Sequence, residues 1–231
     1  MQSLISNIAI ASCYLPVLMI VWKNLRFEKS LIAIAIYWLF SGLINLHSWI
    51  SFLQNSAWQN QITLIYNLID GPLILLFFFF SAEGNKRRLI MYTIIFFILF
   101  EIATIIITGY NLKSSTIIIG FDTFIALTLC ITNITAYLSK LDHSSCENAL
   151  VFINSSVLFS YGVFIIIYFF SYLGYASSKT EKNEVFLIYY ISLFLSSLLT
   201  CYGLWRYTKK PAVAYEKPYF NYQESSKSVN Y

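Results

Sequence analysis

Seven apolar runs of 19 to 25 residues, each closed by a short polar or charged interval, divide this chain. They cover residues 4–22, 31–53, 62–81, 89–108, 116–138, 149–173 and 185–206. About 20 apolar residues carry a helix across the hydrocarbon core of a bilayer. Lipid offers backbone N–H and C=O groups no partners, so such runs must satisfy them internally, as helices. The pattern therefore predicts an all-α membrane protein, a seven-helix bundle spanning 1–206. Short connections favour sequential helices packed antiparallel. Residues 207–231 turn polar and hold Pro211 and Pro218, and are expected to form a disordered cytoplasmic tail. The segment Ile10-Ala11-Ser12-Cys13 has the look of a lipoprotein cleavage box. No Lys or Arg precedes it, however, and the apolar run continues to Trp22, so an uncleaved first helix is expected.

Composition removes the alternatives. Only 11% of residues are charged and 58% are hydrophobic, against about 25% charged in soluble domains. No basic stripe interleaved with aromatic residues suggests nucleic acid as a partner. The placement of charge says more than the net +4. Alternate loops and the tail hold twelve of the fifteen Lys and Arg, including Lys23, Arg26, Lys29, Lys86, Arg87, Arg88, Lys140 and Arg206. The other side holds Lys113, Lys179 and Lys182. Positive-inside bias then predicts an external N-terminus and a cytoplasmic C-terminus. Trp22 and Trp205 fall at inner helix ends, and Trp49 and Trp58 near outer ends, as an interfacial belt requires.

Four titratable residues lie inside the predicted spans: His47, Asp70, Glu101 and Asp122. Ionisable groups are costly at membrane depth, and usually face inward, pair, or serve a function. Counted from the expected helix ends at 1.5 Å per residue, all four lie about 9–12 Å below the outer surface. One layer in the outer half thus receives a group from each of four helices. Tyr66 lies one turn before Asp70 on the same face, Asn67 is three residues away, and Gly71-Pro72 follows. Proline frees the Leu68 carbonyl, so a hinge at Gly71 and Pro72 is expected. Two readings stay open: the acids are protonated structural donors between helices, or they line a polar cavity binding a ligand, a lipid part or a proton. The last span carries a stripe of small and polar residues, Tyr189, Ser192, Ser196, Thr200 and Gly203, spaced to share one face. Ser156 and Ser160 repeat that interval in the sixth span, and Asn133 and Asn154 are expected to join helices in the inner half.

Most chemistry-bearing patterns are missing. Cys13, Cys130, Cys146 and Cys201 form no CxxC pair, and His143, Cys146 and Glu147 in one short loop make a weak metal set. No HExxH or GxSxG motif occurs, which argues against an enzyme, including an intramembrane hydrolase or lipid-modifying one. Residues 185–205 contain no lysine, so the last helix offers no retinal attachment point.

Ser12-Cys13-Tyr14-Leu15-Pro16, Tyr66-Asn67-Leu68-Ile69-Asp70, Phe152-Ile153-Asn154-Ser155 and Gly203-Leu204-Trp205 carry a resemblance. With them the chain resembles an uncharacterised family of seven-helix integral membrane proteins of Bacteroidetes. That family tends to have Glu where Asp70 stands and His where Leu64 stands. The resemblance implies a bacterial inner membrane and no established activity. The resulting expectation is a non-enzymatic sensor or accessory subunit in the bilayer, with a cytoplasmic or membrane signalling partner. A proton-coupled transporter of small solutes is the alternative.

Overall fold

The computed structural model describes residues 2–25, 27–46, 56–172 and 179–208. Among them are only helices and their connections. In chain order these are α1 (Gln2–Ser12), α2 (Leu15–Trp22), α3 (Lys29–Leu46), α4 (Ser56–Ser81) and α5 (Gly84–Thr108), then α6 (Leu112–Leu138), α7 (Ser145–Ile167) and α8 (Lys179–Arg206). One π-helical stretch, Tyr168–Tyr172, prolongs α7. With α1 and α2 forming one span, seven helices are long and apolar enough to cross a membrane. The chain is a multi-pass helical membrane protein.

Departures from the predicted bounds have local causes. The first span breaks at Cys13 and Tyr14, because Pro16 has no N–H for the Ser12 carbonyl and its ring crowds that oxygen. Cys13 and Tyr14 turn tightly instead, donating to Ile10 and Ala11 carbonyls at 3.2 and 3.3 Å. α6 begins at Leu112 because Asn111 and Ser114 cap each other's backbone N–H groups, and α7 begins early through the same device in Ser144 and Glu147. α4 starts six residues before the expected position. His47, Trp49 and residues 47–53 of the second span lie outside the described residues, as do Arg26 and the tail from 209 onward. Tyr207, expected in that tail, instead belongs to the bundle: it is 6% exposed, and its N–H donates to the Gly203 carbonyl at 3.0 Å.

Neighbouring helices close a ring. The α1/α2 span packs on α3, α3 on α4, α4 on α6, α6 on α7, α7 on α8, and α8 back on α1/α2. α5 stays outside, held by α4 and α6. The ring brings all the basic loops to one end. There the Lys23 ammonium donates to the carbonyls of Leu204 and Tyr207, at 3.1 and 2.9 Å, and to that of Trp205. A cation at the α8 C-terminus satisfies orphan carbonyls and opposes the helix dipole. Loss of solvent there pulls the Lys23 ammonium below the usual lysine value.

The α8 stripe faces the interior. Ser192, Ser196 and Thr200 are buried, and Ser197 joins them. Trp38 donates its indole N–H to Thr200 Oγ1 at 2.9 Å, and Ser156 Oγ lies 2.7 Å from the same atom. Ser197 donates to Ser12 Oγ at 2.7 Å. Gly203 permits the closest approach: a Cβ there would stand 2.7 Å from Ile153 Cγ1 and 2.8 Å from the Ala149 carbonyl oxygen. Thr200→Val keeps shape but orphans the Trp38 N–H, and is expected to cost about 1–3 kcal/mol. Thermal unfolding in lipid nanodiscs checks this; an unchanged midpoint would show that Trp38 finds another acceptor.

Candidate functional site

A cavity opens inside the ring, with walls from α3, α4, α6, α7 and α8. Its free volume is about 50 Å³, enough for a few water molecules. Ligand pockets for drug-sized molecules run from about 300 Å³, so the occupant here is small. Two carboxyl groups face it, Asp70 from α4 and Asp122 from α6. On α6 and α7 its lining residues sit nearer the end away from the basic loops.

The two acids meet directly, and tyrosines surround them. Tyr161 donates its hydroxyl to Asp70 Oδ2 at 2.7 Å. Tyr66 engages the same carboxyl from one turn away on α4. Tyr37 stacks on Tyr161 with ring centroids 6.5 Å apart, and Tyr189 closes the far wall, accepting from Asn45 at 3.3 Å. Each acid keeps one oxygen, Asp70 Oδ1 and Asp122 Oδ1, buried without a hydrogen-bond partner among the described residues. Polar atoms are rarely buried in this way unless water, a proton or an ion completes them.

Gly71 explains how α6 comes so close. A Cβ on it would lie 2.8 Å from Asp122 Oδ1 and 2.6 Å from two ring atoms of Phe97. The bare glycine admits the acid from α6 and the aromatic ring from α5 together. Beyond it, α4 runs as helix through Pro72. Pro72 still leaves the Leu68 carbonyl without its N–H partner.

Of the residues the sequence nominated, Tyr66, Asp70 and Asp122 line the cavity. Glu101 stands behind Asp122 on α5, 8% exposed, with Oε1 unpartnered, close enough for its charge to act on Asp122. Asn67 points elsewhere: it donates to Ser115 Oγ at 2.7 Å, tying α4 to α6. His47 lies outside the described residues. Tyr37, Tyr161, Ser41 and Thr123 line the cavity without having been nominated. A signal existed for the tyrosines, since a buried phenol needs a partner for its hydroxyl. In an apolar run they read as hydrophobic bulk. The loop set does not converge as metal ligands: the His143 ring stacks on Tyr137 at 3.8 Å, while Glu147 caps α7 and pairs with Lys140.

No family model, curated protein or solved structure matches this chain. The site's chemistry must therefore be read from its geometry. Two carboxyls sharing a small buried cavity cannot both carry charge without strong repulsion, because a low dielectric screens little. Such a pair can share one proton, and the tyrosine hydroxyls can donate to whichever oxygen is negative. The arrangement can hold one proton between the two carboxyls.

Proposed function

We propose that this chain is a proton-responsive sensor or accessory subunit of a bacterial inner membrane, non-enzymatic, with its N-terminus outside and its C-terminus in the cytoplasm. The carrying observation is the Asp70–Asp122 pair in a cavity of about 50 Å³ walled by tyrosines. That volume favours a proton or water over a solute, which weakens the transporter reading. The twelve-to-three division of Lys and Arg supports the orientation, and the motif resemblance supports the bacterial inner membrane. In this reading, a change of protonation alters the repulsion between α4 and α6. The basic end would carry the change to a cytoplasmic or membrane partner.

Infrared spectroscopy of the protein in lipid, titrated with pH, tests the reading. Carboxyl bands are expected to change with pH in the wild type and to be lost in Asp70→Asn and Asp122→Asn. Glu101→Gln should shift the midpoint while leaving the response in place. Carboxyl bands that stay constant across pH, or that survive both aspartate substitutions, would show sealed structural donors and end the proposal.

A further inference from the structure

Three buried oxygens at the carboxyl cavity have no hydrogen-bond partner among the described residues: Asp70 Oδ1, Asp122 Oδ1 and Thr123 Oγ1. Their residues line the same space of about 50 Å³. Asp122 Oδ1 stands against Gly71, the residue that follows Asp70, so α6 presents this oxygen beside the acid of α4.

Thr123 departs from the habit of its helix. A threonine within a helix commonly turns its hydroxyl back onto the carbonyl four residues earlier. Thr93, Thr116, Thr128 and Thr132 do so, at 3.1, 2.9, 2.8 and 2.7 Å. Thr123, 4% exposed, makes no such bond. An unsatisfied buried hydroxyl is costly, and a proton held between the two carboxyls does nothing for it. An occupant that takes up all three oxygens does.

Charge sets the kind of occupant. The wall holds two acids and, among the described residues, no Lys, Arg or His. The donors reaching Asp70 are the neutral phenols of Tyr161 and Tyr66. One proton shared by the pair removes one charge and leaves the other, and a buried charge without a counterion is strongly unfavourable. Two carboxyl oxygens and a hydroxyl form a hard ligand set, suited to a hard cation. Ca²⁺ takes about six to eight oxygens, and Mg²⁺ demands a near-ideal octahedral shell. Three unclaimed side-chain oxygens, with room for a few waters, fall short of either. A monovalent ion matches the one remaining charge, and Na⁺, smaller than K⁺, suits a space of this size.

We propose that Asp70, Asp122 and Thr123 bind one Na⁺ in the cavity. The site rests on the proton reading for one point, the single negative charge of the carboxyl pair. Binding ties α4 to α6 through the ion and gives the Thr123 hydroxyl its partner.

Equilibrium binding of radioactive sodium to the full chain, in nanodiscs of zwitterionic lipid and a choline buffer, tests this. One saturable site per chain is expected, lost in Asp122→Asn. Thr123→Val should weaken binding about tenfold, the equivalent of about 1.4 kcal/mol. Thr123→Ser keeps the hydroxyl and should retain the ion, as should Thr128→Val on the exposed side of the same helix. Thr123 makes no hydrogen bond that valine would break, so the variant should fold, which an unfolding midpoint no lower than wild type in sodium-free buffer verifies. Absence of saturable binding, or wild-type affinity in Thr123→Val, would leave the three oxygens to water and overturn the proposal. Displacement of sodium by an equal concentration of Ca²⁺ would reassign the site to a divalent ion and overturn it too. Carboxyl bands that titrate while sodium fails to bind would sink this site alone; sodium binding with constant bands would sink the proton reading alone.

Discussion

Gly71→Val is expected to destabilise the bundle by about 3 kcal/mol, at the upper end of overpacking costs. Two opposing effects meet at this position. Glycine within a helix is worse than alanine by about 1 kcal/mol, so adding any Cβ would by itself help. Against that, the new carbon would stand 2.6 Å from the Phe97 ring and 2.8 Å from Asp122 Oδ1. Phe97 is fully buried and cannot swing away, and retreat by Asp122 would move α6. The clash therefore wins. Valine, branched at that carbon, meets both neighbours at once, and alanine should show a smaller loss of the same sign. Gly162→Ala provides the comparison, because nothing lies within 4 Å of its missing Cβ. There the propensity gain stands unopposed, and stability should hold or rise by up to about 1 kcal/mol. Thermal unfolding in nanodiscs reads both. Equal effects at the two positions would mean that α4 shifts without cost and that Gly71 is no contact point. The valine variant should also disturb the carboxyl bands, since it drives Asp122 away from Asp70.

Trp38→Ala should cost on the order of 3 kcal/mol. The usual value for a buried tryptophan includes transfer from water, but a membrane protein unfolding within lipid keeps its side chains away from water. What remains is packing and the lost hydrogen bond. Trp38 is fully buried, and a void on the order of 100 Å³ costs about 2.4 kcal/mol at ~24 cal/mol per Å³. Loss of the bond to Thr200 Oγ1 adds about 0.6 kcal/mol, the average for interhelical bonds in bilayers. Trp38→Phe refills most of the space and should recover more than half of the loss. Because Trp38 and Thr200 share one bond, combining Trp38→Ala with Thr200→Val should cost less than the sum of the two. Additive losses would place the cost of Thr200→Val elsewhere than in the indole contact.

How far the sequence disclosed this protein depended on the range of the interaction. The spans were legible because lipid imposes one local rule on every run, and seven apolar helices result. The inward face of α8 was legible too, from the spacing of Ser192, Ser196 and Thr200. The broken first span was readable in principle, since Pro16 is visible in the chain, but apolar continuity hid it. Counting residues from expected helix ends put Asp70 and Asp122 in one layer, and they do meet. Yet α4 starts six residues before its expected position, so distance from a helix end was a poor ruler of depth. Asn67 shows the limit. Three positions from Asp70 on one helix, it still turns toward Ser115, because its side chain answers to a helix forty-eight residues on. Tyr37 and Tyr161 gave only the general signal of a phenol in an apolar run, and that does not say which partner it finds. Their roles exist only once α3 and α7 have closed on α4.

Closure of the ring by α8 has a consequence for biogenesis. Translation delivers the chain N-terminus first. Ser12, Lys23 and Trp38 all find partners on the last helix or just beyond it. Of these, Trp38 must wait in the bilayer until more than 150 further residues have been made, its indole N–H answered only by stand-ins. A nascent chain stopped before α8 thus carries a chemical mark of incompleteness at Trp38. Packing of α8 against α3 erases that mark in one step.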